Sequence, residues 1–323
     1  MPQSTSPQTS SSASSPGVSV RLSSVDIALL VALAVLWGSA YVFIREGILF
    51  GAAPLPFASV RYLLSAAGFA ALAALRRESL PGRRALLVSA GVGGMLIIGL
   101  YGGFLYWGEQ YTTGGYAAVL AATAPILTVV VAYSLLPAER LGRLAQVGLA
   151  LGFLGAVVLV APTLFGGPVG TWPGPLFVLG AFVSAALGTV LLRRIAIGPQ
   201  GLWQIGTQFA IGGVLLGGAA LVLPYPSALP LTAGVWYAVA ALVVFSSLMG
   251  YFVYFKLHHR VGPVRANIVA YLVPLVGIGV GSGFFAEPVT VWEVGGFLIV
   301  IAGVTLILWE SSRRNVGEAA ADK

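Results

Sequence analysis

Cysteine is absent from the 323 residues, and histidine occurs only as His258 and His259. Without cysteine there are no disulfide frameworks, no thiolate-held zinc and no cysteine redox centres. Neither an HExxH zinc motif nor a GxxxxGK phosphate loop occurs. Charge is scarce too: 8% of residues are Asp, Glu, Lys or Arg, against roughly 25% in a soluble domain. Such a chain belongs in a bilayer. The net charge of +7 sits in short clusters between apolar runs. It gives no extended basic face to follow a phosphate backbone, so no nucleic-acid partner is expected.

What fills the chain is apolar, 58% of it, in runs near the roughly 20 residues a helix needs to cross hydrocarbon. Ten runs are predicted: 27–44, 55–75, 85–107, 116–136, 144–161, 174–192, 203–223, 233–255, 266–286 and 291–309. Prolines and glycines separate them, among them Pro54 and Pro56, Pro81-Gly82, Gly198-Pro199 and Gly262-Pro263. Residues 1–24 are mostly Ser, Thr, Pro and Gln, bury too little apolar surface to order, and are expected as a disordered cytoplasmic tail. A secretory signal is the rival reading. It fails because Trp37 and Arg45 stand where a small-residue cleavage site is needed. Residues 311–323 are expected as a second cytoplasmic tail.

The chain is one half written twice. Gly102, Tyr106, Glu139, Gly148 and Gly155 recur 148 residues later as Gly250, Tyr254, Glu287, Gly296 and Gly303. Ala117 and Pro125 recur as Ala266 and Pro274, one residue out of step. Ten runs in two copies give five per copy, and an odd number inverts the second copy in the membrane. With the N-terminus inside, 15 of the 17 Lys and Arg residues fall in cytoplasmic segments, leaving Arg45 outside and Arg61 within a run. The fold class predicted is an all-α integral membrane protein of ten transmembrane helices, arranged as two inverted five-helix repeats with both termini cytoplasmic. Inverted repeats suit secondary transporters, because two mirror-related halves exchange outward-open and inward-open states at similar energy.

The stretch Leu36-Trp37-Gly38-Ser39 with Arg45, then Pro56 through Arg61-Tyr62, then Tyr116-Ala117-Ala118 through Pro125 to Glu139-Arg140, resembles the EamA-type repeat of the drug/metabolite transporter superfamily. Asn267, Pro274 and Glu287 give the second copy a weaker version. The resemblance spans residues 26–161 and 174–310. It implies a multi-pass carrier of the bacterial inner membrane with a central cavity between repeats, commonly exporting amino acids or related metabolites. Amino acid export is the first expectation, with the lipid bilayer and a small-molecule substrate as the partners and no cofactor or metal. The alternatives are a carrier of phosphorylated or sugar-nucleotide solutes or drugs, and a non-transporting sensor or scaffold. An intramembrane enzyme is not expected: His258 and His259 end the eighth run on one side and Ser282 the ninth on the other. They are about 35 Å apart at roughly 1.5 Å per helical residue, too far for a base and nucleophile.

Ten residues are candidates for substrate contact. Trp37 and Tyr41 are four apart, hence on one helix face near mid-depth, with helix packing as the alternative. Tyr101 and Tyr251 lie deep, where a phenol needs a partner, whereas Tyr106, Trp107, Tyr254 and Phe255 read as aromatic belts. Asn267, Tyr271 and Pro274 share one face, and Pro274 and Pro125, the latter with Thr123 close by, each release a backbone carbonyl one turn back. Interrupted helices in matching halves point to a binding site, with a plain kink as the alternative. Arg61 is the one cation within a run. It either holds a substrate carboxylate or, as its nearness to the outer end favours, snorkels or pairs with Glu46 or Glu109. A proton antiporter generally needs a carboxylate or histidine deep in the membrane. Every Asp and Glu here falls at a run end or in a loop, so facilitated transport is expected over tight proton coupling.

Overall fold

The computed structural model describes residues 23–135, 143–164, 170–195, 200–223, 229–261 and 269–321. Residues 1–22 of the N-terminal tail and Asn267 lie outside the described residues, while Ser23 and Ser24, assigned to that tail by the sequence, cap and begin α1. Ten helices account for nearly all of the described chain: α1 (Ser24–Leu49), α2 (Pro54–Leu75), α3 (Arg83–Gly108), α4 (Gly114–Leu135), α5 (Arg143–Leu164), α6 (Pro173–Ile195), α7 (Leu202–Val222), α8 (233–261), α9 (Val269–Phe285) and α10 (Val291–Ala321). Among the described residues no strand forms, and Thr112 and Gly170 make a single antiparallel bridge.

Seven helices, α1 to α4 and α6 to α8, are long and apolar enough to cross a membrane. The described apolar stretches of the other three, Gln146–Pro162, Val269–Phe285 and Val291–Ile307, are 10–17 residues each. Length and apolarity therefore support seven crossings directly, where the hydropathy pattern predicts ten. The C-terminal segment from 311 continues α10 as helix up to Ala321.

Local chemistry sets the helix ends. Ser23 and Asp26 form a capping box at α1, with Asp26 N–H donating to Ser23 Oγ at 3.2 Å and Ser23 N–H to Asp26 Oδ2 at 3.0 Å. Arg260, near the end of α8, binds Asp26 Oδ1 at 2.7 Å and so ties α8 to the start of α1. Pro54 opens α2, where its missing N–H costs nothing. Glu287, between α9 and α10, accepts from Gly114 N–H at 2.9 Å and Gly115 N–H at 2.7 Å, placing a carboxylate on the N-terminus of α4.

The main helix pairings are preserved when the two halves are exchanged. α1 packs on α8 and α9, and α6 packs on α3 and α4; α2 lies on α7, α4 on α9, and α5 on α10. The repeated glycines explain the α5–α10 pair. A Cβ on Gly148 would lie 2.5 Å from the Gly303 carbonyl oxygen, one on Gly303 2.5 Å from that of Gly148, and one on Gly155 2.9 Å from that of Gly296. Only glycine lets these backbones touch. The third helix of each half, α3 and α8, widens into π turns at Ser89–Leu100 and Leu242–Met249.

Candidate functional site

A cavity of about 350 Å³ opens between the helices. Its wall draws on α1, α2, α3, α4, α6, α7, α8 and α9, while α5 and α10 contribute nothing to it. Both π-helical stretches border it: Ile97 and Ile98 come from the first and Ser246 and Ser247 from the second. A π turn shifts the side chains after it around the helix, and such turns gather at functional sites. Here the residues that follow, Tyr101 and Tyr251, also reach the wall.

Five sequence-predicted residues meet at this cavity: Trp37, Tyr41, Arg61, Tyr101 and Tyr251. Trp37 and Tyr41 come from successive turns of α1, as their four-residue spacing requires. Trp37 Nε1–H donates to the Ser246 carbonyl at 3.3 Å, and its ring lies 6.1 Å from that of Tyr251, edge to face. The Tyr41 and Tyr101 hydroxyls stand 3.5 Å apart. Tyr62, Phe209 and Tyr251 continue the aromatic wall, with Phe209 5.5 Å from Tyr62 and 5.7 Å from Tyr251, both near perpendicular.

Arg61 is 8% exposed and does not snorkel. Its Nη1 donates to Tyr106 Oη at 2.9 Å and Nη2 to Ser246 Oγ at 3.0 Å, while Nε has no partner. The guanidinium lies 5.1 Å from the Tyr62 ring centre. Neither Glu46 nor Glu109 pairs with it, because among the described residues the ion pair found is Asp26 with Arg260. Tyr106 is fully buried as the partner of Arg61 and is no membrane belt; Tyr254 lies against Trp37 at 5.4 Å. A buried cation needs a hydrogen-bond acceptor, and the phenol supplies one.

The remaining candidates are not part of the wall. Thr123 is buried and spends its hydroxyl on the Leu120 carbonyl at 2.7 Å. Tyr271 is half-buried, about 100° around α9 from Ala270, which does line the cavity. Pro125 and Pro274 act at one remove. The carbonyls that a helical proline leaves without an N–H donor belong to the fourth residue back. These residues are Ala121 and Ala270, and both line the cavity. At Ala121 the helix tightens into a 3₁₀ turn through Thr123, whose Ala124 N–H re-engages the Ala121 carbonyl.

Sequence reasoning missed Phe182 and Phe209 on this wall. A phenylalanine in an apolar run carries no mark that separates a cavity face from a lipid face. The polar stripe beside Phe209 is structural: Gln208 Nε2 donates to Ser89 Oγ at 2.8 Å and Gln200 Oε1 at 3.0 Å, and Gln204 Oε1 accepts from Gly201 N–H at 3.0 Å. Just past the C-terminal end of α3, Glu109 is fully buried and neither carboxylate oxygen is hydrogen-bonded. Burial, reinforced by the Glu287 carboxylate, holds its carboxyl well above the usual carboxylate range. Among the described residues no group of three or more His, Asp or Glu side chains is placed to hold a metal ion.

Fold and cavity together define a multi-pass helical membrane protein built around a small, aromatic-walled site. The model of the EamA-like transporter family matches twice, at residues 25–161 and 172–309. The uncharacterized inner membrane transporter YedA of Escherichia coli is 32% identical over 281 residues, 86% of this chain and 89% of that protein. The uncharacterized transporter YvbV of Bacillus subtilis is 30% identical over 285 residues, 86% of this chain and 90% of that protein. A probable amino-acid metabolite efflux pump of Salmonella typhimurium is 26% identical over 288 residues, 86% and 92% of the two chains. A crystal structure, described only as that of a protein, matches 89% of this chain and 99% of its own with a TM-score of 0.61; at 19% identity it speaks for the fold alone. The chain belongs to the EamA-like transporter family.

Proposed function

We propose that the chain is a secondary transporter that exports amino acids or related small metabolites by alternating access. In this reading it sits in the bacterial inner (cytoplasmic) membrane, crosses it ten times as two inverted five-helix repeats, and keeps both termini in the cytoplasm. The observation that carries the reading is the cavity itself, to which each half contributes four helices and which α5 and α10 leave alone. The exchange-symmetric helix pairing supports two states of similar energy. The Salmonella relative's name, a probable amino-acid metabolite efflux pump, supports the substrate class.

Size and charge argue against the alternatives. The cavity of about 350 Å³ is at the small end of the roughly 300–1,000 Å³ of ligand sites. A sugar nucleotide needs more room and several cations, and among the described residues Arg61 is the single charged one on the wall. A sensor or scaffold gives no reason for a buried, ligand-sized cavity at the seam of two halves. The residues that meet substrate are Trp37, Tyr41, Arg61, Tyr101 and Tyr251, with Pro274 acting through the Ala270 carbonyl and Pro125 through the 3₁₀ turn at Ala121. Transport is facilitated, since the wall holds no carboxylate or histidine to carry a proton.

Efflux from proteoliposomes loaded with labelled amino acids and their derivatives, with and without a pH gradient, tests this. Flux of one group of solutes, indifferent to the gradient and lowered by Trp37→Ala and Tyr251→Ala, is the expected result. Flux that needs the gradient would replace the facilitated mechanism with proton coupling, and absence of any flux from folded protein would remove amino acids and their derivatives as substrates.

A further inference from the structure

We infer that the solute this cavity accepts is a small amphipathic monocarboxylate without a free ammonium group, such as an N-acylated amino acid or an aryl or alkyl carboxylic acid. The inference rests on the transporter reading and narrows it. It begins with the charges that the described residues bring to the wall: one positive, on Arg61, and none negative. Arginine stays protonated in proteins, so the empty cavity carries a net positive charge.

The partners of that charge are neutral. Tyr106 Oη and Ser246 Oγ take one N–H each, Nε–H has no acceptor, and among the described residues no carboxylate lies within ion-pairing distance. Glu109 is close enough to act on Arg61 through space, yet it is not part of the wall and neither of its oxygens is hydrogen-bonded. A desolvated cation held only by a phenol and a serine is under-compensated, and a carboxylate is the acceptor whose shape matches a guanidinium. The site thus lacks one anionic group, which the solute brings.

A zwitterion brings its ammonium as well, and no anionic group among the described wall residues offsets that charge. Several of the aromatic rings on the wall are already engaged: Arg61 lies over Tyr62, Trp37 lies against Tyr254, and Phe209 is packed edge to face with Tyr251 and Tyr62. The polar groups still open at the wall are neutral. Ser247 Oγ has no partner, and Ala270 is the residue whose carbonyl Pro274 frees. Such groups suit an amide or hydroxyl in place of an ammonium. A dianion is equally mismatched, since a second negative charge would find no cation.

The test holds the apolar body constant and varies the charge. Thermal stabilisation of the detergent-purified wild-type protein, and counterflow into proteoliposomes, are measured with N-acetylphenylalanine, phenylalanine and N-acetylphenylalaninamide, and with the leucine series. The N-acetylated anion should bind at least tenfold tighter than the zwitterion and exchange faster. Arg61→Gln should bring the anion down to the neutral amide, with Arg61→Lys recovering part of the preference. Equal or tighter binding and faster exchange of phenylalanine or leucine would overturn the monoanion while leaving the amino acid transporter standing. No stabilisation and no exchange by any of the six would overturn both. The wild-type comparison decides the matter even where Arg61→Gln fails to fold.

Discussion

Glu109 and Arg61 are both buried ionisable groups, and they are treated differently by their surroundings. Arg61 is solvated by a phenol, a serine and a ring face; Glu109, just past α3, has no hydrogen bond to either oxygen. The groups that act on Glu109 are Glu287, which disfavours its charge, and Arg45 and Arg61, which favour it but are outweighed by burial. Its native carboxyl therefore keeps a proton that the unfolded chain gives up near the ordinary value of about 4.3. The native state binds more protons than the unfolded one above that pH, so stability falls as pH rises from there toward the native value. Melting temperature in detergent should accordingly decline as pH rises above about 5. Glu109→Gln should flatten that decline and melt higher than wild type at the alkaline end. An unchanged pH profile in the variant would mean that Glu109 is ionised and solvated in the native protein.

Helices α5 and α10 exist to hold each other. Their glycines bring backbone onto backbone, and neither touches the cavity. Gly303→Val should therefore destabilise the protein by about 1–3 kcal/mol through overpacking, read as an earlier unfolding transition in SDS titration. The affinity of the protein that remains folded should not change, since the substitution is remote from the wall. Helices α4 and α9 are different: Pro125 follows the 3₁₀ turn of α4 and Pro274 lies inside α9, each four residues after a residue that lines the cavity. Pro274→Ala returns an N–H donor and removes a ring clash, which in a helix interior is worth up to about 3 kcal/mol. Melting temperature should hold or rise while efflux from proteoliposomes falls. A parallel loss of stability and flux would mark Pro274 as a packing residue only.

The arrangement of the protein in the membrane is a consequence of where its few charges lie. The absence of cysteine makes this directly measurable, because any cysteine introduced is the sole thiol. Leu80, 69% exposed between α2 and α3, is assigned to the cytoplasm, and Leu231, 86% exposed before α8, to the outside. A membrane-impermeant maleimide should label Leu231→Cys in intact spheroplasts and label Leu80→Cys only after permeabilisation. The reverse pattern would invert the whole topology, and with it the cytoplasmic placement of both termini.

Much of the fold was legible in the sequence because hydrocarbon acts on each helix separately. A segment must be apolar over its own length to enter, so runs and separators need no knowledge of neighbours. The repeated glycines were legible as a duplication, but the reason for them was not: Gly148 and Gly303 matter because α5 and α10 meet there. The wall of the cavity was legible in part. Trp37, Tyr41, Tyr101 and Tyr251 are polar-tipped aromatics at depth, an unusual signal, whereas Phe182 and Phe209 look like any lipid-facing residue. Lipid is as apolar as a protein core, so the periodicity that separates inside from outside in a soluble helix is nearly lost here. Arg61 shows the limit most plainly. Its position near a helix end favoured the headgroups, and only packing against Tyr106 on α3 and Ser246 on α8, 45 and 185 residues away in the chain, turns it inward. Contacts at that separation are set by how helices stack, and no local pattern of residues encodes them.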